Sequence, residues 1–233
     1  MHYCFDLWGE LVADAAQELL LAKAATTSPR LHLIGNSIGA MVALTAARFL
    51  LAKGKSPTQV ILIDCAQRTL DDKRAAQLPG WERASRPLVK TLVRQRWVIA
   101  PLFRLLAQPA FIRRVLARAY PSGANIDDAL VALLHRPSTD RGAPESFRGF
   151  VNLFNDHLAP QLLADLSAAD PPVAVRMLWG AADPWEDPDE ARSWADGFAC
   201  VQELQVLQGL GHCPHDEAPE RVNPILIDWI GEG

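Results

Sequence analysis

A serine framed by glycines, Gly35-Asn36-Ser37-Ile38-Gly39, is the first place in this chain where residue type and spacing could do chemistry. A serine hydroxyl attacks poorly unless a base takes its proton, and the base needs a group that orients it. Both stand further on: Asp183 in Gly180-Ala181-Ala182-Asp183-Pro184-Trp185, and His212 at the end of Gly209-Leu210-Gly211-His212. The serine has the right setting. The apolar run Leu31–Ile34 precedes it directly, and a helical pattern opens directly after it. A sharp turn between strand and helix would thrust the hydroxyl away from the main chain. It would also aim the Ile38 N–H and the positive end of the helix at the point where an oxyanion forms. Glycines suit that turn, because a Cβ at either flanking position is expected to clash with the neighbouring strand or helix. The plainer reading is a helix N-cap serine with incidental glycines.

Other residues compete for the two supporting roles. Asp64 ends the apolar run Gln59–Ile63 and is a second candidate acid; Asp187 is a third. Of the six histidines, His2, His32, His135 and His157 occupy no loop after a strand. His215 falls in the first turn of the last helical pattern and reads as a structural contact.

The elements that must position these groups follow from apolar periodicity. Asp6–Ala25 predicts a helix, with Leu7, Leu11, Ala15, Leu19 and Ala22 on one line, broken by Ser28-Pro29. Ile38–Lys53 predicts a second, ending before Gly54. Leu31–Ile34, Gln59–Ile63, Val173–Trp179 and Glu203–Leu207 predict strands. QVILI shows no alternation, as strands buried on both faces do. Pro214–Ile230 predicts a closing helix. Strands alternating with helices argue an α/β sheet with crossover helices, and a loop at the carboxyl end of each strand is where Asp183 and His212 fall. The stretch Cys65–Asp170 has no strand pattern and reads as a helical insertion broken by prolines. The expected organisation is therefore residues 1–64 and 171–233 as two parts of one core, with a helical cap over 65–170.

Composition bounds the function. The 233 residues suit one domain with an insertion, and 49% hydrophobic against 21% charged residues allows a sizeable core. A net charge of −4 argues against a nucleic-acid binder that relies on overall positive charge. Cys4, Cys65, Cys200 and Cys213 form no CxxC pair, so neither a zinc knuckle nor a disulfide scaffold is suggested. Met1–Glu10 carries Asp6 and Glu10 without a Lys or Arg, unlike a secretory or transit leader, and Leu33–Ala47 is too short and too polar to span a membrane. One stretch stands apart. Arg83 to Arg118 holds nine cations and no acid, interleaved with Trp97, Phe103, Leu105 and Phe111. Such a segment lies on an anionic membrane surface, covers an apolar pocket, or is a solvated basic face over a core-facing apolar one.

The segments Gly35–Gly39, Leu178–Trp185 (LWGAADPW) and Gly211–Asn223 (GHCPHDEAPERVN) resemble the α/β-hydrolase superfamily. More narrowly they resemble its chloroplast and cyanobacterial branch containing pheophytinase and chlorophyll dephytylase. Tyr3-Cys4-Phe5-Asp6-Leu7-Trp8 resembles the segment that leads into the helix before the serine turn. The resemblance implies an α/β-hydrolase fold: a mostly parallel sheet with helices on both faces and a helical cap. It implies Ser37 as nucleophile, Asp183 as acid, His212 as base and Ile38 N–H as oxyanion donor, in the order serine, acid, histidine. No metal or organic cofactor is required. The partner would be a small-molecule substrate, a bulky apolar ester, down to the phytyl ester of a chlorophyll-type ring, with a plastid address. A generic carboxylesterase or lipase is the neighbouring reading; dehalogenases and epoxide hydrolases carry Asp at the turn where this chain has Ser37.

Two departures matter. Ala40 stands where relatives often have a second glycine. Family members also begin with several strands and a His-Gly loop that supplies a second oxyanion donor, whereas only some 30 residues precede Leu31. The expected sheet is thus truncated on its amino-terminal side, with an exposed edge, and losing one donor costs about 10²–10³ in rate. Either the natural protein is longer, or the chain is a truncation with weak or no activity that binds an apolar ligand or partner.

Overall fold

A computed structural model describes residues 3–23 and 30–232. The elements run α1 (Phe5–Lys23), β1 (His32–Asn36), α2 (Ile38–Ala52), β2 (Gln59–Ile63), a 3-10 turn (Asp72–Gln77), α3 (Gly80–Arg94), α4 (Arg96–Leu106), α5 (Pro109–Ala119), α6 (Asp128–Ser138), α7 (Ala143–Val151) and α8 (Ala159–Ser167), followed by β3 (Val175–Gly180), α9 (Pro188–Gly197), β4 (Val201–Leu207), α10 (Pro214–Glu217) and α11 (Pro219–Glu232). His2, Ala24, Ala25 and the Ser28-Pro29 break lie outside the described residues.

The chain divides into two compact units. The sheet unit holds Phe5–Gln67, Ala119–Ala124 and His157–Gly233; the helical unit holds Met1–Cys4, Arg68–Arg118 and Asn125–Asp156. These bounds differ from the expected 65–170 insertion. The reason is α8: Ala159, Leu162, Leu163 and Leu166 are buried in the same core as the strands.

In the sheet unit four parallel strands pair in the order β1-β2-β3-β4. Their registers bring Asn36 opposite Ile63, Ile63 opposite Leu178, and Gly180 opposite Leu207, so the four carboxyl ends share one rim. The missing alternation in β2 has a direct cause, since both faces are covered. Val60 and Leu62 pack with α2, α8 and α9 in one cluster, while Ile61 and Ile63 pack with Leu178, Val222 and Trp229 in another. Among the described residues β1 is an edge strand, and its Ile34 is 43% exposed.

Local signals end the helices where expected. At the end of α2, Gly54 has φ +68, its N–H donates to the Leu51 carbonyl at 2.9 Å, and the Lys55 N–H donates to Leu50 at 2.9 Å. That pair of bonds satisfies carbonyls the helix would leave open. The face of α1 is a correction. Leu11 and Leu19 are exposed; Phe5, Ala13 and Ala16 are buried instead. At Gly9 a Cβ would sit 2.5 Å from the Thr45 methyl, so close approach of α1 and α2 selects the small residues.

The helical unit contains helices and no strand among its described residues, as its sequence predicts. Its prolines behave in two ways. Pro109 and Pro144 stand at helix starts, whereas Pro87, Pro101 and Pro137 lie inside helices and each removes one backbone donor there. The basic stretch is only in part a cationic face over an inward apolar one: Ile99 and Leu116 are buried, but other apolar side chains are not. On α3, Arg86 and Lys90 turn to Asp72, at 2.9 and 2.7 Å, while Trp81 and Leu88 are 73% and 63% exposed. On α4, Trp97 is 72% exposed. No described helix is long and apolar enough to cross a membrane.

Candidate active site

Ser37 is not an N-cap serine. Its φ is 54° and ψ −118°, outside the extended region that N-caps adopt, and its hydroxyl makes no capping bond. A non-glycine residue at positive φ stores about 1–3 kcal/mol of strain and persists only where its surroundings enforce it. Here they do. The Ser37 N–H donates to the Ile63 carbonyl at 2.9 Å, and its carbonyl accepts from Ala40 and Ala66 at 3.1 and 3.2 Å. Gly35 is required, since a Cβ would meet the Gly39 carbonyl oxygen at 2.2 Å. Gly39 is not required on that ground. A Cβ there faces open space, so the clash expected at both flanks holds for one. The Ile38 N–H is the first of α2 and has no acceptor within the helix.

His212 and Asp183 come together: Nδ1 lies 2.7 Å from Asp183 Oδ2, with the Asp183 side chain fully buried. The other oxygen, Oδ1, accepts the Trp185 and Glu186 N–H groups at 2.9 and 3.2 Å. Burial pushes the Asp183 carboxyl up, but the His212 bond and charge and the Trp185 N–H outweigh it and hold it below the usual carboxylate range. The Trp185 ring meets the imidazole edge-on, centroids 4.9 Å apart, and limits its rotation.

Asn36 ties the serine turn to the histidine loop. Its Nδ2 donates to the His212 carbonyl at 3.0 Å and to Ile63 at 3.2 Å. Among the described residues no hydrogen bond joins Ser37 Oγ to the His212 ring. Two further contacts set the histidine loop. A Cβ on Gly180 would lie 2.0 Å from the Gly211 carbonyl oxygen, so the end of β3 and the loop touch main chain to main chain. Buried Glu217 then accepts the Gly211 N–H at 2.7 Å and the Ser122 N–H at 2.8 Å.

The competitors separate cleanly. Asp187 caps α9, accepting the Asp189 N–H at 2.9 Å. Asp64 reaches the site but not the His212 nitrogen that Asp183 holds; its Oδ1 accepts the Gly180 N–H at 2.9 Å. His32 meets Gln59, His157 meets Asp6 and Arg48, and His135 ends α6. His215 lies in α10, and burial pushes its imidazole down. Among the described residues, Asp64, Asp183 and His212 have ligand atoms within 4.8 Å of one another and are the trio that could approach a metal. The short Asp183–His212 bond already satisfies two of them. No disulfide joins the four described cysteines.

Sequence reasoning missed Asn36, Trp185 and Glu217 as supports. Asn36 occupies a variable position of the glycine–serine turn and carries no pattern of its own. Trp185 and Glu217 lie inside segments whose resemblance was visible without revealing what their side chains hold.

The same fold recurs in solved proteins. An esterase from Thermogutta terrifontis superposes with a TM-score of 0.63 at 20% identity, over 100% of this chain and 74% of that one. MGS-M2, an alpha/beta hydrolase enzyme from a Medee basin deep-sea metagenome library, gives 0.66 at 15% over 99% and 73%. A meta-cleavage product hydrolase from Pseudomonas fluorescens gives 0.62 at 15% over 100% and 73%. At these identities the likeness shows the fold. No curated protein matches the chain by sequence. The family model described as the alpha/beta hydrolase family matches residues 3–225, nearly the whole chain. A four-stranded parallel sheet with helices on both faces, a strained serine turn after its first strand and a sequence match of that extent lead to one assignment: this chain belongs to the alpha/beta hydrolase family.

Proposed function

We propose that the chain is a serine hydrolase that cleaves a carboxylic ester through an acyl-enzyme. The observation that carries this reading is the Asp183–His212 pair at 2.7 Å, bound through Asn36 to the turn that strains Ser37. His212 Nε2 takes the Ser37 proton as Oγ bonds to the ester carbonyl carbon. The oxyanion is met by the Ile38 N–H and the amino end of α2. On collapse the carbon–alkoxy bond breaks and His212 returns the proton to the leaving alcohol. Water, deprotonated by the same imidazole, then releases the acid and frees Ser37. Asp183 holds the tautomer with the proton on Nδ1 and stabilises the imidazolium.

The test is labelling by a fluorophosphonate together with turnover of p-nitrophenyl esters, wild type beside Ser37→Ala. Both signals are expected in the wild type, with turnover falling by about 10⁴–10⁶ in the variant. Equal turnover in the two would remove Ser37 from the nucleophile role. A folded wild type that neither labels nor turns over would favour the second reading, a scaffold that binds an apolar ligand, for which the lack of a Ser37–His212 hydrogen bond among the described residues is the supporting observation. The narrower substrate, a phytyl ester of a chlorophyll-type ring, and the plastid address that goes with it rest on Leu178–Trp185 and Gly211–Asn223. A higher kcat/KM on pheophytin than on a short-chain ester is the expected result.

A further inference from the structure

Asp64 has no place in the relay from Ser37 through His212 to Asp183, yet the fold goes to some length to keep it. It follows β2, is fully buried, and is held at φ +42, a region costly for any residue but glycine. Its N–H donates to Leu178 at 3.0 Å and its Oδ1 accepts from Gly180 at 2.9 Å, so β3 holds it by both main chain and side chain. Its other oxygen, Oδ2, is buried and receives no donor. What lies beside it is a second carboxyl: oxygens of Asp64 and Asp183 and a ring nitrogen of His212 fall within 4.8 Å of one another.

Two ionised carboxylates so close repel strongly, because a buried site screens them far less than water does. One proton removes the repulsion and gives Oδ2 something to do. The partners decide which carboxyl carries it. Asp183 accepts from His212, Trp185 and Glu186; Asp64 accepts from Gly180 alone. The charge belongs where the donors are.

We propose that Asp64 is a positioning residue: a neutral carboxylic acid whose Oδ2–H donates to Asp183 and holds that carboxylate in line with His212. This rests on the serine-hydrolase reading for its catalytic consequence, though not for the state of the proton. The direction of titration agrees. Burial pushes the Asp64 carboxyl well above its usual range, and Asp183 and Glu186 push it further, against the Gly180 N–H. The other titratable groups that face it are His212, Cys65 and Cys213.

Two variants of the full chain test the proposal. Asp64→Asn keeps an oxygen for Gly180 and an N–H for Asp183 but has no proton to lose. It should keep most of its kcat, and the acid limb of its kcat/KM profile should coincide with the wild type. Asp64→Leu removes the donor and should lose about 10–100-fold in kcat, the range for outer-shell partners, with KM unchanged. If Asp64 were ionised, Asp64→Asn would delete an anion beside His212, and the acid limb would move about a unit or more toward acid; that outcome overturns the proposal. So does an Asp64→Asn variant as inactive as Ser37→Ala. The infrared spectrum at neutral pH is a readout independent of turnover. One protonated-carboxyl stretch of the wild type should vanish in Asp64→Asn and persist in Glu186→Gln, the other carboxyl here that burial pushes up, to about 7. If the band is found but no Ser37-dependent turnover, the functional reading alone fails. If turnover is found without the band, the Asp64 proposal alone fails.

Discussion

Asp71, which caps the 3-10 turn of the helical unit, and Asp64, which follows β2 in the sheet unit, are both buried aspartates, and they titrate in opposite directions. Asp71 accepts the Lys73 and Asp156 N–H groups, each at 3.0 Å, and the Arg68 guanidinium at 2.6 Å. Burial pushes its carboxyl up, but the Lys73 N–H, Arg68 and the Asp156 N–H outweigh it and hold it below the usual range. Asp64 has one backbone donor and is pushed the other way. Burial is common to both, so the number of donors aimed at the carboxyl decides. Asp183, with three donors and a side-chain bond from Asp64 acting in the same direction, sides with Asp71. In the helical unit a satisfied carboxylate organises the chain around it. At the candidate site a satisfied carboxylate and an unsatisfied one are set side by side.

The comparison breaks most visibly at Asp183. Asp183→Asn leaves the shape but removes the charge that fixes the His212 tautomer. Turnover should fall by about 10⁴ while Tm stays near the wild-type value. A loss of tenfold or less would mean that Asp64 can serve as the acid in its place. Next in size is Asp71→Ala, whose effect should fall on stability instead. It removes the counter-charge of Arg68, whose side chain is 6% exposed, and strands two backbone donors. Breaking a buried pair costs about 3–5 kcal/mol, so Tm should drop by roughly 6–20 °C. The Asp71 carboxyl is depressed, so its contribution is present above its unfolded pKa and is lost as pH falls through the folded one. The gap in Tm between wild type and variant should therefore hold from neutral pH down to about 5 and close below about 4.

The residues that could react were legible because each follows a strand pattern, directly or within a few residues. Ser37, Asp64, Asp183 and His212 all lie just beyond the carboxyl ends of β1 to β4, and a parallel sheet in register delivers such positions to one rim. The supports were not legible, because they are bonds between residues far apart in the chain: Asn36 to His212, Asp64 to Gly180, Glu217 to Ser122. No periodicity records such a pairing. The packing face of α1 was misread for a related reason. The leucines at helical spacing suggested one face, but the approach of Gly9 to Thr45 chose another, and that approach depends on α2. Likewise α8 has a helical pattern whichever unit it joins, and only its buried leucines assign it to the sheet.

Glu186 sharpens the donor rule at its smallest effect. Its Oε2 accepts one N–H, from Gln67 at 2.8 Å, and burial pushes the carboxyl up to about 7. In the unfolded chain it titrates near the ordinary glutamate value. Between those two values the folded state binds the extra proton, so stability falls as pH rises; above about 7 the deficit is constant. That slope is opposite in sign to the one Asp71 contributes. Glu186→Gln keeps an oxygen for Gln67 and removes the charge. Melting curves of variant and wild type should coincide below about pH 4, separate through pH 5–7, and leave the variant higher at about pH 8, by roughly 2–4 °C for each kcal/mol relieved. A variant that melts below the wild type at pH 8 would show that the Glu186 charge is held by His212 strongly enough to stabilise the fold. Glu186 would then join Asp71 and Asp183, and counting donors alone would not predict the state of a buried carboxyl at this rim.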